Sequence, residues 1–186
     1  MLDPQNVTID AESGAIAPET EHYEKRLSDL RQIFADRIAL DRMVGEEGDR
    51  LVYQVRAFRK NESDLWFGTT TIEPGRVGSE YFMTRGHFHK RHDMGEVYHT
   101  QAGKGLLLLQ ARDGRVEILE MHPGSCSFIP PDWAHRSINV GDDRLVFVWV
   151  CNVEAGNDYG ELEKGMQRRV IAGVSGPEMI ESGVRG

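Results

Sequence analysis

The chain has 186 residues, with 22 basic against 30 acidic side chains and a formal net charge of −8. That length allows one domain with a sizeable core, and that charge argues against nucleic acid or an anionic membrane as the main partner. No apolar run approaches the length of a membrane span. Met1-Leu2-Asp3-Pro4 also lacks the basic-then-apolar pattern of a signal peptide. Cys126 and Cys151 are the two cysteines, with no CxxC pair, and read as reduced thiols. A cytoplasmic protein is the expectation.

In chain order, residues 1–22 are polar and carry Pro4, Gly14 and Pro18, which reads as an arm over the surface or one reaching a partner subunit. From Tyr23 to Phe34, the recurrence of Leu27, Leu30, Ile33 and Phe34 predicts a helix packed on the main body. From Leu51 the pattern changes to strands. Leu51, Tyr53, Val55 and Ala57 share one face of the first, and Leu65 to Ile72 ends at the turn signal Glu73-Pro74-Gly75. Further strands are predicted near 79–84, 86–90, 95–101, 104–110, 115–121, 126–129, 134–139 and 144–151. Hairpin turns fall at Arg112-Asp113-Gly114-Arg115 and Gly141-Asp142-Asp143. Leu106 to Leu109 is continuously apolar and should be buried on both faces. Residues 152–164 read as a loop, Gln167 to Ala172 as a last strand, and 173–186 as a weakly ordered tail. Many short strands with Gly and Pro between them mean a sandwich or a barrel.

The chemistry concentrates in His87-Phe88-His89, Glu96 and His135. Residues two apart on a strand face the same way, so His87 and His89 point together. Glu96 lies seven residues on, past the polar bend Arg91-His92-Asp93, and His135 follows Pro130-Pro131-Asp132-Trp133-Ala134. Three imidazoles and a carboxylate suit a divalent transition metal such as iron, manganese, nickel or zinc. Tyr98, two beyond Glu96, faces the same side. Lys90 and Arg136 alternate away from the ligands beside them and read as outward-facing. His22, His92, His99 and His122 carry no pattern of this kind.

The spacing of Gly86-His87-Phe88-His89, Glu96 and Gly103 resembles the first cupin motif. Gly124, Pro130, His135 and Asn139 resemble the second, with Asp132 where that pattern usually has glycine. The resemblance implies an all-β fold, a single cupin jelly-roll barrel with an N-terminal arm and one or two flanking helices. The arm and helix would occupy 1–50, the barrel 51–172 and the tail 173–186.

Further segments are similar to the cupin-type glucose-6-phosphate isomerases: Phe67-Gly68-Thr69-Thr70, Glu80-Tyr81-Phe82-Met83-Thr84-Arg85-Gly86, Glu96-Val97-Tyr98, Pro130 to Arg136, and Ala155-Gly156-Asn157-Asp158-Tyr159-Gly160. That resemblance implies one divalent metal per subunit on His87, His89, Glu96 and His135, with Fe2+ foremost and Mn2+, Ni2+ or Zn2+ as the alternatives. It implies phosphate contacts from Thr70, Thr84 and the backbone at Gly86. A hydroxyl from Thr84 and an unobstructed amide at Gly86 make physical sense for a phosphate dianion. Tyr53, Tyr98 and Tyr159 would line the sugar pocket. Asn157 stands where the family usually has His, and Cys151 where some members have Tyr. The expected partner is a small sugar phosphate, the expected assembly a homodimer, and the expected catalytic groups Glu96, as proton carrier, and Tyr98. A cupin dioxygenase or a non-catalytic sugar-binding cupin are the rival readings of the same four ligands.

Overall fold

The computed structural model describes residues 3–60, 62–162 and 165–183; Met1, Leu2 and the last three residues of the expected tail lie outside the described residues. Leu51–Phe58 forms a strand because its side chains alternate: Tyr53, Val55 and Ala57 are buried on one face, while Gln54 and Arg56 on the other are half-buried. It lies between Glu21–Arg26 and Leu65–Ile72 in a six-stranded antiparallel sheet. The order is Cys126–Ile129, Glu96–Ala102, Leu145–Asn152, Leu65–Ile72, Leu51–Phe58, Glu21–Arg26.

A second sheet joins Val116–Met121, Gly105–Ala111 and Trp133–Asn139. Isolated bridges from Met83 to Ile138 and from His87 to His135 extend it towards Phe88–His89, which pairs with Asn157–Asp158. These sheets are the two faces of the expected jelly roll. A four-stranded sheet of Gly176–Glu181, Arg168–Gly173, Glu80–Tyr81 and Arg76–Val77 completes the set. Side chains such as Val52, Ile72, Leu107, Met121, Ile129 and Leu145 are wholly buried, each stabilising the fold by about 1.5–3 kcal/mol relative to exposure. Within the apolar run, Leu107, Leu108 and Leu109 are buried and Leu106 is half-buried.

Two sequence expectations are corrected. Residues 23–34 do not form a helix. Glu21–Arg26 is an edge strand paired with Leu51–Phe58, and a short 3-10 turn follows at Ser28–Leu30. Leu27, Leu30 and Phe34 are buried as predicted, but through successive turns rather than one continuous helix. Pairing with a waiting strand edge outweighs a marginal one-turn helical pattern. The α-helix falls at Arg37–Glu47, where the Asp36 side chain accepts from the Ala39 N–H at 2.8 Å and Gly48 ends it. The tail is also corrected: Gly176–Glu181 pairs residue for residue with Arg168–Gly173.

The N-terminal arm does lie on the body. Thr8–Ile9 pairs with Ile16–Ala17, and the Thr71 hydroxyl donates to the Ser13 carbonyl at 3.1 Å. Among the described residues, no helix is long and apolar enough to cross a membrane. Cys126 and Cys151 are both free.

Candidate metal centre and its pocket

The four expected ligands converge. His87, His89, Glu96 and His135 present one donor atom each within 4.8 Å of one another. The convergence follows from strand register. His87 and His135 exchange backbone hydrogen bonds at 3.3 and 3.1 Å, so their rings meet edge-on with centroids 4.4 Å apart. His89 follows two residues on, on the same side. Glu96 enters from the opposing six-stranded sheet, directly across from Cys151. Its Oε2 lies 3.2 Å from His89 Nε2 and 3.1 Å from His135 Nε2.

The donors are prepared for a cation. His89 Nδ1 lies 2.9 Å from the Met94 carbonyl and His135 Nδ1 lies 3.3 Å from the Trp133 carbonyl. A carbonyl only accepts, so each Nδ1 carries the proton and each Nε2 turns towards Glu96. Burial, together with the neighbouring His135, drives His87 well below its ordinary range, leaving it as the neutral imidazole a metal needs. Burial opposes charge on His89, yet the hydrogen bond and charge of Glu96 raise it. Burial pushes Glu96 up, but the imidazoles of His135 and His89 against it pull its carboxyl down to about 2. His135 Nε2 is buried and makes no aligned hydrogen bond, although an ionised carboxylate oxygen lies 3.1 Å away. An imidazole nitrogen and a carboxylate oxygen at that distance, out of water, share a positive charge, carried by a proton or by a bound metal ion. The donor set therefore fits a divalent transition metal.

The pocket above this cluster contains every other residue expected from the sequence: Tyr53, Thr70, Thr84, Gly86, Tyr98, Asn157 and Tyr159 all line it. The Thr84 hydroxyl accepts from the Ser137 N–H at 3.0 Å, which leaves its own proton to donate. Tyr98 packs on Phe147 with ring centroids 4.6 Å apart and meets His135 edge-on at 5.7 Å. Burial, with the Glu96 charge beside it, pushes the Tyr98 hydroxyl well above its usual range, so it acts as a neutral hydrogen-bonding group. The Asn157 amide donates to the Tyr159 hydroxyl at 3.0 Å.

Several lining residues were not anticipated: Tyr23, Arg59, Arg85, Phe147 and Trp149. Arg59 continues the Tyr53, Val55, Ala57 alternation by one more step, so the period-two signal was there to be followed. Its guanidinium stands over Trp66 at 4.8 Å and Trp149 at 5.5 Å, and donates to Glu21 at 2.9 Å. Tyr23 was hidden by the mistaken helix. Arg85 stacks on Tyr159 at 4.4 Å.

Arg136 does not face solvent; it is 3% exposed. It does alternate away from the pocket, but Arg169 of Arg168–Gly173 and Glu80 of Glu80–Tyr81 lie near enough for their charges to act on it. Lys90 is exposed, as read. His92 is outside the metal cluster, exposed beside Arg112. Asp132 adopts φ +66°. That left-handed conformation explains why glycine usually stands there, and aspartate is among the few other residues to tolerate it.

Comparison with known proteins agrees with this geometry. The family model described as Glucose-6-phosphate isomerase (GPI) matches residues 24–181. The glucose-6-phosphate isomerase of Thermococcus litoralis is 44% identical over 172 residues, covering 91% of this chain and 90% of that protein. That of Pyrococcus horikoshii is 41% identical, with the same coverage of 91% and 90%. That of Sinorhizobium medicae is 39% identical over 175 residues, covering 92% of this chain and 82% of that protein. A family match over most of the length, and a His3Glu cluster floored in a hydroxyl-lined jelly-roll pocket, place this chain in the cupin-type glucose-6-phosphate isomerase family.

Proposed function

We propose that the chain interconverts glucose 6-phosphate and fructose 6-phosphate in a metal-dependent aldose–ketose isomerisation, with Fe2+ as the expected ion and Mn2+, Ni2+ or Zn2+ as others the donor set accepts. Family membership and 44% identity to an isomerase over most of the chain support the reaction. The observation that carries metal dependence is the convergence of one donor atom each from His87, His89, Glu96 and His135 within 4.8 Å of one another. His87, His89, Glu96 and His135 would hold the ion. Bound there, it would supply positive charge that stabilises a developing oxyanion, which lowers the cost of removing a hydrogen from C2.

The rest falls to the chain's own groups. The Thr70 and Thr84 hydroxyls and the Gly86 N–H receive the phosphate, with the Arg85 guanidinium close by. Tyr53, Tyr98, Asn157 and Tyr159 face the sugar hydroxyls, while Phe147 and Trp149 keep the reacting carbons dry. Glu96 carries the proton from C2 to C1 through a cis-enediolate. A carboxyl held at about 2 is a weak base, so this route requires Glu96 to loosen from its imidazole neighbours during turnover. Turnover in deuterium oxide should place solvent deuterium on C1 of the product. Complete retention of label from substrate C2 would indicate a direct hydride shift and sink the Glu96 route.

The reaction itself is tested on chelator-stripped protein reloaded separately with each of the four ions, using fructose 6-phosphate and a coupled readout of glucose 6-phosphate. Activity that returns with metal, and is lost in His135→Ala, is the expected result. Clear metal binding without turnover would overturn it.

We further propose that the enzyme is a cytoplasmic homodimer. On the outer face of the six-stranded sheet, Phe128, Val97, Val150, Phe67 and Phe58 stand directly across from one another. Phe128 is 64% exposed. An apolar row of that length at a sheet face supports an isologous contact. Phe128→Asp should convert a species of twice the chain mass to one of the chain mass in sedimentation. Wild-type protein sedimenting as a monomer would rule the dimer out.

A further inference from the structure

Arg136 is a buried cation with no place in the metal site. Its guanidinium turns to the backbone rather than to a carboxylate: Nη2 and Nε both donate to the Arg85 carbonyl, at 2.7 and 3.3 Å. The carboxylate nearest in character, Glu80, is already taken by Arg169 at 2.5 Å. A buried arginine spending two donors on one carbonyl is fixing something, and what it fixes can be read from the register around it.

Met83 stands opposite Ile138, and His87 stands opposite His135. Four steps along one segment thus match three along the other, which is the mark of a β-bulge. The extra residue falls at Arg85-Gly86, facing Arg136. On one side of the bulge the Thr84 N–H donates to the Ser137 carbonyl at 2.9 Å, and on the other the His87 N–H donates to the His135 carbonyl at 3.3 Å. Between them, the Gly86 N–H has no acceptor among the described residues, although Gly86 is buried. Buried N–H groups without a partner are rare in folded proteins.

The Arg85-Gly86 peptide is trans, so its C=O and N–H point in opposite directions in one plane. Arg136 holds the C=O on the side away from the pocket. The N–H of the same peptide is therefore aimed into the pocket that Gly86 lines. Gly86 has φ +78°, and a Cβ there would meet Arg136 Cβ and Nε at 3.2 Å. The glycine and the arginine are thus packed as one unit.

We infer that Arg136 is a positioning residue for the anion-binding end of the pocket, fixing the Arg85-Gly86 peptide so that the Gly86 N–H meets an incoming phosphate. A guanidinium on the carbonyl also polarises that peptide, making its N–H a stronger donor. The inference rests on the reading of Thr70, Thr84 and Gly86 as the phosphate end of the site.

The test uses metal-loaded enzyme with inorganic phosphate as the probe. In Arg136→Lys and Arg136→Met, the inhibition constant for phosphate and the KM for fructose 6-phosphate should rise together by about tenfold, while kcat falls less than about twofold. Lysine keeps the charge but not the two-donor fork, so it should rescue little. A role in stability alone would lower the melting temperature and leave the phosphate constant where it was. In Zn2+-loaded wild type, phosphate should move the Gly86 amide resonance downfield.

A folded variant with an unchanged phosphate constant overturns the inference. So does a wild-type Gly86 amide unmoved by phosphate that inhibits the enzyme, even where neither variant folds. Phosphate that fails to inhibit wild type at all would instead bring down the reading of the pocket, and this inference with it.

Discussion

Trp149 lies across the bare backbone of Gly68: a Cβ built on that glycine would meet the indole Cζ2 at 2.6 Å and the Arg56 carbonyl oxygen at 2.2 Å. The absent side chain is what lets the indole reach the pocket wall. Gly68→Ala should therefore destabilise the fold by about 1–3 kcal/mol, as overpacking does, and shift tryptophan fluorescence as the ring is displaced. Trp149→Ala in the same chain should recover only part of that loss in denaturant unfolding, because the Arg56 carbonyl remains in the way. Full recovery would mean that the ring alone sets the glycine.

Arg59 is held by Trp66 and Trp149 and tied to Glu21, yet its Nε is buried without a partner. Cation–π and charge-assisted contacts of this kind contribute about 1 kcal/mol. Arg59→Ala should raise KM for fructose 6-phosphate by about three- to tenfold, with a smaller change in kcat. Steady-state kinetics decide it; a loss confined to kcat would remove Arg59 from substrate binding.

The thiol of Cys151 is pushed up to about 12 by burial and by the Glu96 charge facing it. The thiolate is the reactive form, so a raised value means slow alkylation at neutral pH and a rate that climbs as pH rises towards that value. With iodoacetamide at pH 8, exposed Cys126 should label first and Cys151 lag by at least about tenfold. Replacing Glu96 by glutamine removes the facing charge and should speed Cys151 labelling at any given pH. Mass spectrometry of the two peptides reads both rates.

Removing the metal should cost stability as well as activity. A ligand present at one hundred times its Kd stabilises the native state by about 2.7 kcal/mol, which is on the order of 5–10 °C in melting temperature for a domain this size. Calorimetry with and without chelator checks this, and His135→Ala should melt at one temperature in both. Wild-type protein indifferent to chelator would argue that the four side chains hold nothing.

Much of the site was legible because its signals are local and chemically rare. His87, His89, Glu96 and His135 are few, widely recognisable ligands, and strand alternation alone puts the first two together. Tyr98 came with them, two residues beyond Glu96 on the same face, whereas Thr84 and Gly86 stood out only through the resemblance to the family's phosphate-binding segment. Other parts depended on what pairs with what. Tyr23 faces the pocket only because its strand adds to the edge of Leu51–Phe58, and nothing within residues 23–34 announces that edge. Arg136 was read as solvated because alternation tells which side of a strand a residue takes, not whether a further layer covers that side. Gly176–Glu181 was missed because most of it is exposed. Its cohesion comes from backbone pairing, which leaves no hydrophobic pattern to read.

The four ligands do not share a sheet. Three imidazoles come from the segments around Phe88–His89 and Trp133–Asn139, while Glu96 comes from the opposing six-stranded sheet. An ion bound by all four is a rivet through the sandwich, and it can be set only once both halves have met. Metal capture should then be one of the last events of folding. The refolding rate should be nearly insensitive to the ion, and the unfolding rate should slow in its presence. The ion would act less as a template for the chain than as a lock on a structure already assembled.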